Sequence, residues 1–299
     1  MNGAWRAFIR AGAGGSKRPA AAYGQPMKRG DGRKAGLRFG AMDRLGSLPP
    51  PGRLDGPFLW DGIINGPVRS RRLGVSLGLN LIPLHSKLCT FDCPYCECGF
   101  NTPKAPQSRW PSPDLVADTL RKTLERLSEP PDWVTFAGNG EPTMHPRFSV
   151  VVQRVLEVRN RMAPGVKVAV MSNGLSAGKP AVRESLNRVD ARLMKLDPGP
   201  VHLVNGVAYD RGRLVEDLRA LVDVTVQALV VEGPGYSGAS ELAVTEWLAA
   251  LARLQPRAVQ VYSIARPPAD ARVKPVERAQ LEAIAARARQ VVPGKVEVF

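Results

Sequence analysis

No stretch of this 299-residue chain approaches 18 consecutive apolar residues, so none reads as a membrane-spanning helix. Cysteine is scarce: there are four, all between positions 89 and 98. Four in a chain this long exclude a disulfide scaffold and point to a reducing compartment. Histidine is scarcer still, at three residues, and none stands at zinc-finger spacing. An apolar h-region is missing near the start, which argues against secretion and leaves the cytoplasm as the expected location. Acidic residues are outnumbered, 27 against 42 Lys and Arg, for a net charge of +15.

That charge is unevenly placed. Residues 1–55 hold 11 Lys/Arg and 3 Asp/Glu, a net +8, and the much longer remainder carries +7. A folded domain carries the latter without a nucleic-acid partner, so charge lends only weak support to an RNA substrate. Residues 1–55 are rich in Gly, Ala, Arg and Pro and show no sustained apolar period, which predicts a disordered basic tail. Their lack of an acid before Asp31 also fits an organelle transit peptide, or an over-extended start with Met27 or Met42 as the real one. Residues 56–299 are expected to form the folded catalytic domain. With 44% hydrophobic content, the chain can bury one large core or two modest ones.

From about residue 75, apolar strand-like runs alternate with amphipathic helical runs. Strands are predicted at Leu77–Pro83, Trp133–Ala137, Val166–Met171, Arg192–Leu196, Val224–Val231 and Ala258–Ser263, with a short final one at Val296–Phe299. Val224–Val231 is apolar almost throughout, as expected of a strand covered on both faces. Ser112-Pro113-Asp114 supplies an N-cap, a first-turn proline and an acid near the helix dipole, opening a helix through Leu115, Leu120, Leu124 and Leu127. Further helices are predicted at Phe148–Met162, Lys179–Arg188, around Leu214–Leu221, at Glu241–Leu254 and at Val276–Arg289. In Phe148–Met162, Val150, Val151, Val155, Leu156 and Val158 give the apolar side. Six βα units imply parallel strands with helices outside, a partial barrel; a doubly wound sheet is the alternative.

The cysteines stand in Cys89-Thr-Phe-Asp-Cys93-Pro-Tyr-Cys96, with Cys98 two positions on. Three thiolates on one tight loop can hold three irons of a cubic [4Fe-4S] cluster and leave the fourth iron open to a ligand. A structural zinc site usually draws on two separated cysteine pairs, and a thioredoxin-type Cys93-x-x-Cys96 pair leaves Cys89 and Cys98 without a role. This C-x3-C-x2-C loop resembles the signature of the radical S-adenosylmethionine (SAM) superfamily. The resemblance implies a partial (β/α)6 TIM-like barrel, a [4Fe-4S] cluster on Cys89, Cys93 and Cys96, and SAM bound at the open iron and cleaved to a 5′-deoxyadenosyl radical. It also implies that Tyr95 lies near the adenine. For Cys98 a free thiol, a packing residue and a hydrogen donor all stand open.

Other motifs fall at the expected C-terminal strand ends, where parallel barrels carry their active sites. Ala137-Gly-Asn-Gly-Glu-Pro-Thr-Met-His-Pro146 resembles the family's Gly-Gly-Glu-Pro motif, which binds the SAM amino group. That makes Gly138, Gly140, Glu141 and Pro142 cofactor-binding candidates; glycines expose carbonyls to an ammonium and Glu141 adds an anion. Ser172-Asn173-Gly174 implies polar contacts to the SAM carboxylate or ribose, or else is an ordinary Asn-Gly turn. Lys195 and Asp197 are two apart and so share one side of a strand. They are catalytic candidates, by pairing, by contact with SAM or substrate, or through a lysine Schiff base, with a plain ion pair as the structural alternative. Gln227 interrupts an apolar strand and calls for a partner, with SAM or substrate the candidates, while Tyr262, Ser263 and Arg266 follow the sixth strand. Arg69, Arg71 and Arg72 could hold a phosphate or carboxylate, or form a solvated face.

Gly66-Pro-Val-Arg-Ser-Arg-Arg-Leu-Gly74 and Tyr262-Ser-Ile-Ala-Arg-Pro267 make the chain similar to a bacterial branch of the superfamily. That branch is near the 4-demethylwyosine synthases of tRNA and the glycyl-radical activating enzymes. It implies an external one-electron donor such as flavodoxin or ferredoxin, and a tRNA or a partner protein as substrate. The absence of a cysteine before Cys89 departs from the second cluster of the wyosine enzymes. A zinc-binding nucleic-acid module with a basic tail is the non-enzyme alternative.

Overall fold

The computed structural model describes residues 58–84, 86–102 and 110–299, so the expected 1–55 tail lies outside the described residues. Among the described residues, eleven strands and seven α-helices follow one another. They are β1 (Ile64–Ser70), β2 (Gly74–Leu79), α1 (Pro113–Arg126), β3 (Trp133–Phe136), α2 (Phe148–Met162), β4 (Lys167–Ser172), α3 (Pro180–Arg188), β5 (Ala191–Lys195), α4 (Val201–Val204) and α5 (Arg211–Arg219). The second half holds β6 (Val224–Leu229), β7 (Val231–Gly233), β8 (Tyr236–Ser237), α6 (Glu241–Leu254), β9 (Ala258–Tyr262), β10 (Lys274–Pro275), α7 (Arg278–Ala288) and β11 (Lys295–Val298).

The main sheet runs β1-β2-β3-β4-β5-β6-β9-β11. From β2 onward every pairing is parallel and follows chain order without reversal. A doubly wound sheet reverses its order at a switch point, and this one has none. The architecture is therefore a singly wound, open partial barrel of six βα units, extended by the parallel β11. Sequence periodicity missed β1, which pairs antiparallel with β2, and the small β10-β7-β8 sheet. Both consist of short, polar or glycine-bearing strands with no apolar alternation to betray them.

The core lies between the sheet's outer face and the helices. Leu77, Leu79, Val134, Phe136, Val168, Val170, Met194, Val226, Ala228, Val259 and Val261 point outward into it. Their alternate neighbours point into the lumen, as the two-residue period of a strand demands. Ser112 caps α1 as expected, its Oγ accepting from the Leu115 amide at 3.2 Å. Leu120 and Leu124 of α1 and its C-cap Leu127 pack on the core as expected, joined by Pro113 and Val116, whereas Leu115 is exposed. The register of α2 is likewise set by Phe148, Val151, Val152, Val155 and Leu156, with Val150 only half-buried. The turn between β1 and β2 closes the lumen floor: Leu73 packs with Trp133, Ala169, Met171, Ala191 and Leu193.

Candidate active site at the cysteine loop

The cysteine loop follows β2 and is held by bonds that reach far along the chain. Leu88 forms an isolated parallel bridge with Gly140, its amide donating to the Asn139 carbonyl (3.1 Å) and its carbonyl accepting from the Glu141 amide (3.0 Å). Gly140 has φ +148°, and a β-carbon there would overlap the Leu88 carbonyl. Only glycine permits this approach. Asn101 staples the loop from behind: its Oδ1 accepts from the Cys89 amide (2.8 Å) and its Nδ2 donates to the Cys89 and Phe91 carbonyls (3.0 and 2.9 Å). The buried Lys87 donates to the Gly99 carbonyl (2.6 Å) and pairs with Asp92 at 3.3 Å. Asn101 and Lys87 flank the motif in sequence, yet neither carries a spacing signal.

Two of the three cysteine sulfurs, those of Cys89 and Cys93, meet a nitrogen donor. Cys89 Sγ accepts from the Phe91 amide (3.4 Å) and from Asn173 Nδ2 (3.6 Å). Cys93 Sγ accepts from Asn205 Nδ2 at 3.8 Å. Cys96 is lowered to about 6, first by its hydrogen bond with Cys98, against burial, with the Lys87 ammonium also favouring the thiolate. Burial pushes Cys89 and Cys93 up to about 12. Cys98 is buried, and its thiol donates to the Gly138 carbonyl at 3.7 Å, tying this loop to the glycine-rich turn. That contact favours the packing role over a free thiol. Among the described residues, no group of three His, Cys, Asp or Glu side chains forms a site for a metal ion.

The glycine-rich turn is built differently from its sequence reading. Glu141 was expected to offer an anion to an ammonium. It is buried, and its four donors come from the chain itself: the Thr143 amide (3.0 Å) and hydroxyl (2.7 Å), the Ser172 hydroxyl (2.8 Å) and the Asn173 amide (2.7 Å). It ties the turn to the end of β4, and burial raises its pKa despite these bonds. Ser172 is thus engaged by Glu141, and Asn173 donates to Thr90 Oγ1 (2.7 Å) as well as to Cys89. Gly138, at φ +144°, lies against Asn80, and Pro142 opens a one-turn 3₁₀ segment, Pro142–Met144, capped by Glu141. Asn139 is fully buried and pairs with the backbone of Trp60, accepting from its amide (2.7 Å) and donating to its carbonyl (2.9 Å).

Lys195 and Asp197 do share a side, and they pair at 2.9 Å. Asp197 is 1% exposed and also accepts from Tyr95 Oη (2.5 Å), Asn205 Nδ2 (2.9 Å) and the Leu229 amide (2.8 Å). Tyr95, expected beside the adenine, is therefore buried with its hydroxyl engaged; its ring faces Lys195 Nζ at 5.0 Å. Burial favours the neutral amine of Lys195, but Asp197 and Tyr262 outweigh it and hold the ammonium. A protonated amine is no nucleophile, so a Schiff base on Lys195 would first require loss of that proton. Gln227 finds its partner within the lumen, donating to Gln260 Oε1 at 3.0 Å, rather than in a ligand. Ser263 Oγ donates to the Val230 carbonyl (2.7 Å) and Arg266 pairs with Glu97 (2.6 Å). Asn205 and Tyr209, whose hydroxyl donates to Asn205 Oδ1 at 2.9 Å, were missed because they lie more than a hundred positions from the cysteines they support.

No protein-family model matches the chain. A UPF0026 protein from Helicobacter pylori is 34% identical over 135 residues, 45% of this chain and 42% of that protein. A UPF0026 protein from Methanocaldococcus jannaschii is 26% identical over 222 residues, 70% of this chain and 66% of that protein. The chain thus spans less than half the length of the first relative and about two thirds of the second. Among solved structures, Streptococcus suis SuiB bound to S-adenosylmethionine is similar with a TM-score of 0.54 at 14% identity, over 74% of this chain and 50% of that one. A spore photoproduct lyase variant is similar with a TM-score of 0.51 at 14% identity, over 77% of this chain and 78% of that one. These likenesses establish the shared α/β fold with its partial TIM-like barrel. Among the described residues, no helix is long and apolar enough to cross a membrane.

Proposed function

We propose that this chain is a radical SAM enzyme whose Cys89, Cys93 and Cys96 hold one [4Fe-4S] cluster. The observation that carries the reading is the loop itself: three thiols on one turn beyond the first parallel strand, with hydrogen-bond donors on Cys89 and Cys93 and the Lys87 ammonium favouring the Cys96 thiolate. Donors to cluster sulfurs are a known means of tuning such centres, and Asn173, Asn205, Cys98 and the Phe91 amide stand ready for that task. Loading must expel the protons that burial keeps on Cys89 and Cys93. When bound, the cluster supplies the electron that cleaves SAM to a 5′-deoxyadenosyl radical, which abstracts hydrogen from the substrate.

The chain's own residues account for the rest. Gly138 and Gly140 bring backbone carbonyls of the turn against the cysteine loop, where the amino group of SAM would bind. Glu141 holds that turn to Ser172 and Asn173 rather than meeting SAM directly. Asp197 gathers Tyr95, Asn205 and Lys195 into one network that fixes the loop on the lumen. The apolar wall on Phe91, Val204, Leu229 and Val231 around Cys93 excludes water from the reacting centre. SuiB binds S-adenosylmethionine in one structure and a precursor peptide in another, which lends support to SAM here and to a peptide or protein over a tRNA. A cytoplasmic flavodoxin or ferredoxin would provide the electron.

The test is anaerobic reconstitution with iron and sulfide, followed by electron paramagnetic resonance of the reduced protein. A [4Fe-4S]⁺ signal that changes on SAM addition is expected. A protein that takes no cluster, or whose signal ignores SAM, refutes the reading and restores the zinc alternative.

A further inference from the structure

Beside the network just described stands a cation that has no counter-charge among the described residues. Arg72 lies in the turn between β1 and β2, where Ser70 Oγ accepts from the Arg72 and Leu73 amides, each at 3.2 Å. The pinned turn sends the Arg72 side chain over the ring of Tyr262 on β9, with Cζ 4.4 Å from the centroid. The strands involved lie near opposite edges of the main sheet, so the contact spans the opening of the partial barrel. Arg72 Nη1 is buried and has no hydrogen-bond partner, and no carboxylate pairs with Arg72 among the described residues. Arg72 as a whole is half-buried, but a guanidinium nitrogen cut off from water normally has an acceptor, because leaving it unpaired forfeits its solvation. Stacking on an aromatic ring recovers only part of that loss.

Tyr262 carries a second cation on the same ring. Lys195 Nζ lies 5.2 Å from the Tyr262 centroid and donates to its hydroxyl at 3.3 Å. Lys195 keeps 17% side-chain exposure, so the site is open on its side. With Asp197 answering Lys195, the group of Arg72, Lys195 and Asp197 retains one surplus positive charge. Lys195 uses two of its three protons on Asp197 and Tyr262, leaving one to offer. We propose that Arg72, Tyr262 and Lys195 form an oxyanion site in the lumen that receives a carboxylate or phosphate group of the substrate. Arg72 supplies the planar fork suited to two such oxygens, Lys195 a point charge, and Tyr262 the ring that both cations touch. The identity of the ligand as substrate rests on the radical SAM reading; the anion site itself does not. A carboxylate could also come from SAM, and the experiment separates the two.

The test is calorimetric titration of the cluster-loaded, SAM-saturated protein with inorganic phosphate and, separately, acetate. Wild type is expected to bind at least one of the two at a single saturable site. Arg72→Met weakens that binding at least tenfold, Arg72→Lys retains part of it, and Arg71→Met, on an exposed neighbour, leaves it unchanged. The SAM-dependent change of the cluster spectrum survives in Arg72→Met. The proposal is overturned if wild type binds neither anion, or if Arg72→Met binds as wild type does. It is also overturned if Arg72→Met loses the response to SAM, which would make SAM the source of the carboxylate. Should wild type take no cluster, the radical SAM reading fails, and the same titration of the metal-free protein still decides the anion site.

Discussion

The hydroxyl of Tyr95, on the cysteine loop, donates to the carboxylate of Asp197 just past β5 across 2.5 Å, a hundred residues away in sequence. Because Asp197 also anchors Lys195, Asn205 and the Leu229 amide, this bond links the proposed cluster loop to two barrel strands. Tyr95→Phe removes one donor and leaves the carboxylate three, so a stability loss of about 1–2 kcal/mol is expected. Asp197→Asn strands the buried ammonium of Lys195, for which about 3–5 kcal/mol is expected. Urea unfolding of the two variants checks the order; equal losses would contradict the network.

Cys89→Ala, Cys93→Ala and Cys96→Ala are each expected to abolish cluster loading, measured as iron and sulfide per chain and by the reduced spectrum. Cys98→Ala is expected to keep the cluster with a shifted potential, since its thiol lies beside Cys96 and donates to the Gly138 carbonyl rather than standing free. Loss of iron from the Cys98 variant alone would reverse the ligand assignment.

Gly140→Ala places a β-carbon into the Leu88 carbonyl at a positive φ. The backbone strain alone is about 1–3 kcal/mol, and relief requires moving the residue next to Cys89. Lower stability together with poorer cluster retention is the expected pair of results. A variant that loads iron as wild type does would show that the Leu88–Gly140 bridge is not needed by the loop.

His145 is buried, with Nε2 2.9 Å from the Pro111 carbonyl and Nδ1 accepting from the Arg147 amide at 3.1 Å. The ring is therefore neutral in the fold. Burial lowers its pKa, and Arg147 adds to the effect against the opposing Pro111 bond. A lowered folded pKa means that the unfolded chain binds more protons around and below the ordinary value of about 6.5. Stability from this residue is present above that value and lost as pH falls toward 5. Thermal unfolding of wild type against His145→Gln should show a steeper acid loss in wild type; parallel curves would refute the assignment.

Lys195 is held as an ammonium by Asp197 and Tyr262. Borohydride with small carbonyl compounds such as pyruvate is therefore expected to leave Lys195 unmodified in the ligand-free protein at neutral pH, as read by mass spectrometry. Reductive labelling of Lys195 would reinstate the Schiff-base role.

The local sequence determined the elements whose physics is local. Alternating apolar runs marked the parallel strands, Ser112 marked the start of α1, and α2 and α6 were legible to the residue because their apolar stripes repeat every turn. The crowding of Cys89, Cys93 and Cys96 on one loop was likewise visible, since thiol spacing is a property of neighbours. Tertiary structure alone decided which polar groups answer each other. Glu141 became a tie to β4, Gln227 met Gln260, Asn205 reached Cys93 and Asp197, and Arg72 was left facing Tyr262 unpaired. A buried polar side chain must find a partner wherever the fold brings one within about 3 Å, and that distance carries no trace in the order of residues along the chain.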